Sequence, residues 1–263
     1  MGYVFTYNDA SAWERRMENP GLRAQIQMEN RVMCRMLHPL KGQTVLDIGC
    51  GTGEGLAALS EAGLQVTGLD PSEPMLALAS GKMGNRADLH RGAAEDLPFD
   101  DNAFTYVCLS NTLEFADDPL KAMEEAFRVA KDKVFIGILN RHSLRASRLR
   151  TVRLFTRNIW SNANLFTVWQ MKRMTRTLVG NVPFSWRSAN LVPIPFGRFF
   201  RKSGYAELIS KNPISPFIGM TVIPVPRFRT RPLELKRSPR PAAGTVAGLA
   251  RSKRSEENGS ISV

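Results

Sequence analysis

Between Thr44 and Leu139 short apolar runs alternate with longer stretches in which apolar residues return every three or four positions. The first kind reads as buried strand and the second as helix, and their regular alternation is what a parallel sheet with helical crossovers requires. The pattern predicts strands near 44–48, 64–69, 87–90, 104–109 and 133–139, with helices near 54–62, 72–81 and 119–130. Pro119 suits the first turn of the last helix, where its missing N–H is no loss. A simple turn at Lys131-Asp132-Lys133 is expected before the fifth strand.

The flanks are patterned differently. Up to about Leu40, the residues Trp13, Leu22, Ile26, Met33 and Leu37 partly follow a helical period, so 1–40 is read as a helical cover on one edge of the sheet, with Tyr7 and Trp13 packed into it. From Arg141 to about Gly180 lies an insertion in which Val152, Phe155 and Ile159 share one helical face opposite Arg150, Arg153 and Arg157, a basic amphipathic helix. Residues 182–204 read as irregular before a short helix. Tyr205–Ser210 and Phe217–Val225 fit a closing antiparallel hairpin. Past Arg231 the chain is rich in Pro, Ser, Gly, Ala and Arg with few large apolar residues, so 231–263 is expected to be a disordered basic tail and 41–230 the main folded domain.

Charge divides the chain. Through Asn140 there are 13 Lys and Arg against 20 Asp and Glu; from Arg141 onward the ratio is 23 to 4, within an overall net charge of +12. The acidic part carries the strand-helix alternation, and the basic part suggests an anionic partner: a charged substrate, membrane headgroups or nucleic acid. Three cysteines, Cys34, Cys50 and Cys108, without C-x-x-C spacing argue against a disulfide framework and a zinc site, and no metal is expected. No apolar stretch reaches the roughly eighteen residues of a membrane span, so the reading is cytoplasmic, with peripheral membrane contact through the basic segment 141–160.

The most specific signal is Val45-Leu46-Asp47-Ile48-Gly49-Cys50-Gly51-Thr52-Gly53, a strand running into a turn with three glycines and then a helix. Such a turn lets backbone approach a ligand closely. Asp47 before it and Glu54 after it would repel a pyrophosphate and attract a ligand bearing ammonium and sulfonium charge. Glu54 also stands where the dinucleotide fingerprint G-x-G-x-x-G needs its last glycine, which disfavours an NAD(P) enzyme.

The nine-residue run closely resembles the first motif of class I S-adenosylmethionine (SAM)-dependent methyltransferases. Leu64–Asp70 resembles the second strand ending in an acid, Asp70-Pro71-Ser72-Glu73-Pro74-Met75-Leu76 the family's D-x-S-x-x-M-L run, Arg91–Phe99 its G-D-A-E-D-L-P-F segment, and Phe104–Ser110 its fourth strand. The order and spacing are most similar to the small-molecule branch that includes ubiquinone and menaquinone C-methyltransferases. The resemblance implies an α/β fold with a Rossmann-like seven-stranded sheet, mostly parallel with a terminal antiparallel hairpin and helices on both faces. It implies S-adenosyl-L-methionine as cofactor, a methyltransferase domain over 41–230, and a lid over the substrate pocket formed by the insertion 141–200. Gly49, Gly51 and Gly53 would admit its ribose and methionine portion, Asp47 would lie near the amino end, Cys50 would lend backbone contacts and Asp70 would take the ribose hydroxyls. Pro71, Ala94 and Leu97 would flank the adenine, and Ser110 would lie beside the methionine. Ala93 replaces the acid usual after Gly92, so recognition of the adenine edge falls to Glu95, Asp96 or the main chain.

The implied acceptor is a small-molecule or lipid-like compound, possibly anionic in view of the basic half. Ser110-Asn111-Thr112-Leu113-Glu114 lacks the Asn-Pro-Pro-Tyr signature of many nitrogen methylases, and no Pro-Cys pair offers a cytosine nucleophile, so nucleic acid is the less favoured partner. By position after the fourth and fifth strands, Glu114 and His142 are the candidate general bases. A methyltransferase acting on RNA or protein, and a non-catalytic binding module keeping the fold as scaffold, are the alternatives.

Overall fold

The computed structural model describes residues 2–143, 163–193 and 205–224. Helices α1 (Tyr7–Met17) and α2 (Pro20–Leu37) precede β1 (Thr44–Ile48), α3 (Glu54–Glu61), β2 (Gln65–Asp70), α4 (Glu73–Met83), β3 (Ala87–Arg91), β4 (Phe104–Ser110), α5 (Pro119–Val129) and β5 (Ala130–Leu139). Then come α6 (Val168–Val179), β6 (Phe184–Pro193), β7 (Tyr205–Ser210) and β8 (Phe217–Val222). The sheet order is β3-β2-β1-β4-β5-β8-β6-β7. Its first five strands are parallel and the last three join antiparallel. The fold is therefore the expected mostly parallel α/β sheet with an antiparallel terminus, built from eight strands among the described residues where seven were expected.

The additional strand comes from a segment read as irregular. Residues 184–193 form β6, which lies between β8 and β7, so the two terminal strands found by pattern do not pair with each other but with β6. No turn interrupts 131–133 either: β5 begins at Ala130 directly after α5, and the change is absorbed as a register shift between Phe104 and Tyr106 on β4. The amphipathic helix expected at 150–159 and the tail from 231 lie outside the described residues.

Two apolar layers sandwich the sheet. On one face α2 and α3 bring Met28, Val32, Met33, Leu37, Leu56 and Leu59 onto Val45, Cys108, Phe135 and Phe217. Helix α2 thus covers a face, where an edge was anticipated, because its buried residues recur on a stripe wide enough to sit on β5, β6 and β8. On the other face α5 and α6 press Ala122, Met123, Ala126, Val168 and Met171 onto Leu46, Val107, Ile136 and Met220.

A glycine pair keys the sheet to α2. Gly137 and Gly219 face each other across the β5–β8 ladder. A Cβ on Gly137 would come within 2.8 Å of the Phe217 ring, and one on Gly219 within 2.9 Å of Phe135 and 3.0 Å of Val32. The missing side chains leave the slot that these two fully buried rings fill.

Helix boundaries follow from capping. Thr6 and Asp9 form a reciprocal capping box on α1, Thr167 and Gln170 another on α6, and Ser72 and Asp118 accept from the first-turn N–H groups of α4 and α5.

Candidate functional site

The strand order reverses between β1 and β4, and a cavity of about 470 Å³ opens there at the carboxyl ends of the strands, the position where open α/β sheets bind ligands. Its floor is the glycine turn. Gly49, Gly51 and Gly53 all have positive φ, at 71°, 53° and 84°. At Gly49 a Cβ would also strike Thr112 at 2.5 Å, whereas at Gly51 it would enter open space. The turn is held from behind: the N–H groups of Gly49 and Cys50 donate to the Leu69 carbonyl at 2.7 and 3.1 Å, and Gly53 N–H donates to the Cys50 carbonyl at 3.0 Å. The backbone of Cys50, expected to serve the ligand, is therefore committed within the turn, although the residue still lines the cavity.

Asp70 ends β2 and is buried, accepting from Gly51 N–H at 2.9 Å and Ser72 N–H at 2.8 Å. Burial raises its pKa, and the two backbone donors oppose that rise. Asp47, at 4% exposure, accepts no hydrogen bond recorded among the described residues, and burial, reinforced by the neighbouring Asp70 charge, pushes its carboxyl up to about 7. A buried acid in this condition is stabilised by a cation placed beside it. Glu54 differs, since its charge is taken by Lys82 at 2.5 Å and Thr52 at 2.5 Å, so it adds less to the field over the turn than its sequence position suggested.

Among the described residues six acids line this cavity, Glu29, Asp47, Glu54, Asp70, Glu95 and Asp117, and none of the described lining residues is Lys, Arg or His. The remaining wall is apolar, from Phe5, Trp13, Leu22, Ile26, Met75, Phe115 and Leu139.

Of the residues singled out by sequence, Asp47, Gly49, Cys50, Gly51, Asp70, Pro71, Ala94, Glu95 and Ser110 line the cavity. Gly53 sits just behind it as the N-cap of α3. Leu97 and Asp96 do not line it. The cause is Arg128 on α5, which donates to the Leu97 and Phe99 carbonyls at 3.0 and 2.8 Å while Glu125 accepts from Leu97 N–H at 3.0 Å. That clamp turns Leu97 into the core and leaves Asp96 exposed. Glu95 reaches the cavity but also accepts from Asp117 N–H at 2.9 Å, tying the two loops together.

Neither candidate base faces the cavity. His142 lies on an exposed turn. Glu114 is fully buried beneath the cavity wall and accepts from Leu139 N–H at 2.7 Å, while its own carbonyl accepts from Asn164 N–H at 2.7 Å, so its task is to fasten the end of β5. Burial pushes its carboxyl up to about 8.

Sequence reading did not single out the N-terminal strap or the first half of α2 as ligand-facing. Residues 2–5 cross the cavity and are tied at both rims, by Tyr3 N–H donating to the Phe115 carbonyl at 3.1 Å and Ser72 Oγ donating to the Phe5 carbonyl at 2.7 Å. Phe5 meets Phe115 edge-on at 5.0 Å. Tyr7, by contrast, is 75% exposed, and Trp13 is half-buried at the cavity. On α2, Leu22, Gln25, Ile26 and Glu29 form a single stripe that faces the opening.

Residues 46–137, from β1 to β5, match the family model described as Methyltransferase domain. The match spans both walls of the glycine turn and the strand-order reversal. Demethylmenaquinone methyltransferase of Staphylococcus epidermidis is 44% identical over 96 residues, covering 35% of this chain and 40% of the relative. That of Clavibacter sepedonicus is 36% identical over 99 residues, covering 37% and 40%. The chain thus spans about two fifths of the length of these curated relatives. A SAM-dependent methyltransferase from Thermotoga maritima superposes with a TM-score of 0.65 at 20% identity, covering 82% of this chain and 96% of that one, a likeness of fold. The matched residues end within β5, and α6, β6, β7 and β8 lie beyond them.

Proposed function

We propose that this chain transfers a methyl group from S-adenosylmethionine to a small, largely apolar acceptor of the quinone type. One observation carries the reading: among the described residues a cavity over a glycine turn is lined by six carboxylates and no cationic side chain, which suits a donor bearing ammonium and sulfonium charge and opposes a dinucleotide. Asp47 would meet the ammonium, Asp70 the ribose hydroxyls, Pro71 and Ala94 the adenine faces, and Glu95 its amino edge. Gly49, Gly51 and Ser110 would border the methionine part, with Gly53 setting the turn behind them. The bound cofactor supplies an electrophilic methyl carbon; the chain's task is to hold acceptor and methyl in line and to exclude water, which the strap and the apolar wall favour.

The acceptor class is supported by the local similarity to demethylmenaquinone methyltransferases and by the apolar wall from Trp13, Leu22, Ile26 and Leu139. In this reading residues 1–40 cover the site, and the segment 141–160 meets anionic headgroups around a lipid-like acceptor in the cytoplasm. Among the described residues no helix is long and apolar enough to cross a membrane. Isothermal titration tests the cofactor assignment: SAM is expected to bind, and Asp70→Ala to weaken it by tenfold or more, about 1.4 kcal/mol or upward for a lost charged hydrogen-bond acceptor. Absence of binding by the wild type, or equal binding by the variant, overturns it.

A further inference from the structure

We propose that this chain holds a second ligand site, remote from the cavity above, for a phosphate monoester carried on an apolar body. A groove of about 360 Å³ lies where the last turn of α2 meets the start of β5, the end of β8 and the start of β6. It shares no lining residue with the cavity over the glycine turn. Helix α2, whose 18 residues span about 27 Å, runs from one to the other.

The groove is cationic. Arg35 and His38 come from the end of α2, Lys133 from β5 and Arg187 from β6, and none of the described lining residues is Asp or Glu. Among the described residues none of the four is ion-paired. A cation in the last turn of a helix suits the helix dipole with no ligand present, which accounts for Arg35 but not for Arg187, delivered by a strand. Lys133 donates one N–H to the Leu37 carbonyl at 2.7 Å and keeps two more. Like charges gathered without a counter-ion repel one another, and an anion in the groove removes that cost.

The floor adds a neutral donor. Ser185 and Thr221 stand opposite each other on β6 and β8, with their hydroxyl oxygens 2.7 Å apart. Thr221 is only 7% exposed, yet it lines the groove. Two hydroxyls share one hydrogen bond, so one proton of the pair is left for an incoming acceptor. Val32, Met36 and Ile223 make an apolar wall beside them.

This donor set selects the ligand. Guanidinium, ammonium and hydroxyl groups from four elements face one groove, more directions than a planar carboxylate serves. A phosphoryl group presents three oxygens and up to two charges. Arg35 and Arg187 would hold its oxygens with planar forks, Lys133 would balance its second charge, and the apolar wall would take the body of the ester.

The test uses the full chain with phenyl phosphate as the ester, phenol as its uncharged core, and phosphatidylcholine vesicles with and without phosphatidic acid as the lipid form of the same headgroup. Soluble probes are followed by calorimetry and phosphorus NMR, and vesicles by co-sedimentation, all at low ionic strength. Phenyl phosphate is expected to bind with a Kd of about 1 mM or tighter, and phenol about tenfold more weakly or not at all. Saturating S-adenosylhomocysteine is expected to leave that Kd within about twofold, because the two sites share no residue. Arg35→Gln and Arg187→Gln change exposed side chains, so Tm should hold, and each is expected to weaken phenyl phosphate about tenfold. Thr221→Val should weaken it about fivefold. Arg173→Gln, an exposed cation on α6, is the control and should change it less than about twofold. Vesicle binding that needs phosphatidic acid and is lost in both groove variants identifies a lipid headgroup; phenyl phosphate binding without vesicle binding identifies a soluble ester, and either result supports the site. Failure of both phosphate probes, unchanged binding by both groove variants, equal weakening by Arg173→Gln, displacement by S-adenosylhomocysteine, or phenol binding as tightly as its phosphate overturns it. The site does not depend on the methyltransferase reading: a chain that bound no S-adenosylhomocysteine would sink that reading and leave this one standing.

Discussion

Glu114 makes stability depend on pH in a direction opposite to that of an ordinary surface acid. Its carboxyl is fully buried, its ordinary pKa near 4.5 is pushed up to about 8, and the main cause is loss of water, with the Glu29 charge adding to it. Below about 4.5 the group is protonated whether the chain is folded or not, so it makes no pH-dependent contribution there. Between about 4.5 and 8 the unfolded chain releases this proton while the folded chain keeps it, so the folded state binds more protons and stability falls as pH rises; above 8 the loss is complete. At 1.36 kcal/mol per pH unit, the full window amounts to about 5 kcal/mol, about 4 of it between pH 5 and pH 8.5. Glu114→Gln removes the ionisation and keeps an oxygen for Leu139 N–H. The assay is chemical denaturation of both proteins from pH 5 to pH 8.5, read as the difference between them, in which Asp47 and the other titrating groups cancel. The variant is expected to start less stable, by about 1–3 kcal/mol for a buried amide N–H without a partner, and then to gain on the wild type by about 4 kcal/mol, roughly 10 °C in Tm for a chain of this size. A gap that stays constant within 1 kcal/mol would refute the assignment.

Asp47, at about 7 without ligand, should release its proton when the donor's ammonium arrives, so SAM affinity is expected to fall by up to about tenfold per unit as pH drops below 7. Calorimetry in buffers of different ionisation enthalpy should show that release, and Asp47→Asn should abolish it. Arg128→Met breaks the clamp on the Leu97 and Phe99 carbonyls and leaves the partly buried Glu125 without its guanidinium; a loss of about 2 kcal/mol is expected, discounted for an arginine side chain that is 21% exposed. Gly219→Ala forces Phe135 and Val32 away from a filled slot, and about 1–3 kcal/mol of destabilisation in urea melts is expected.

The five parallel strands and three crossover helices were legible because each is buried or amphipathic by its own local pattern. Strand β6 was not read, although Phe184 and Trp186 alternate with Ser185 and Arg187 as a half-buried strand should. Pro183 and Pro193 dominated that stretch, and they stand just before the strand and at its last residue, where proline is tolerated. The glycine turn and Asp70 were legible for the same local reason, since strand, turn and helix follow one another in sequence. That Leu97 and Asp96 lie off the cavity could not be read locally, because Arg128, 31 residues from Leu97, holds their loop. Glu29 carried no sequence signal at all: its place at the cavity depends on α2 docking on the sheet and on an amide 82 residues away.

The strap has a practical corollary. Gly2 lies so close under the Phe115 carbonyl that a Cβ there would stand 2.5 Å from it, and two hydrogen bonds hold residues 3 and 5 across the opening. Residues 2–5 therefore act as a latch over part of the opening, and the rate of ligand exchange is expected to track how firmly those two hydrogen bonds pin them. Ser72→Ala, which removes one of the two fastenings, would loosen the latch and report how much it slows exchange.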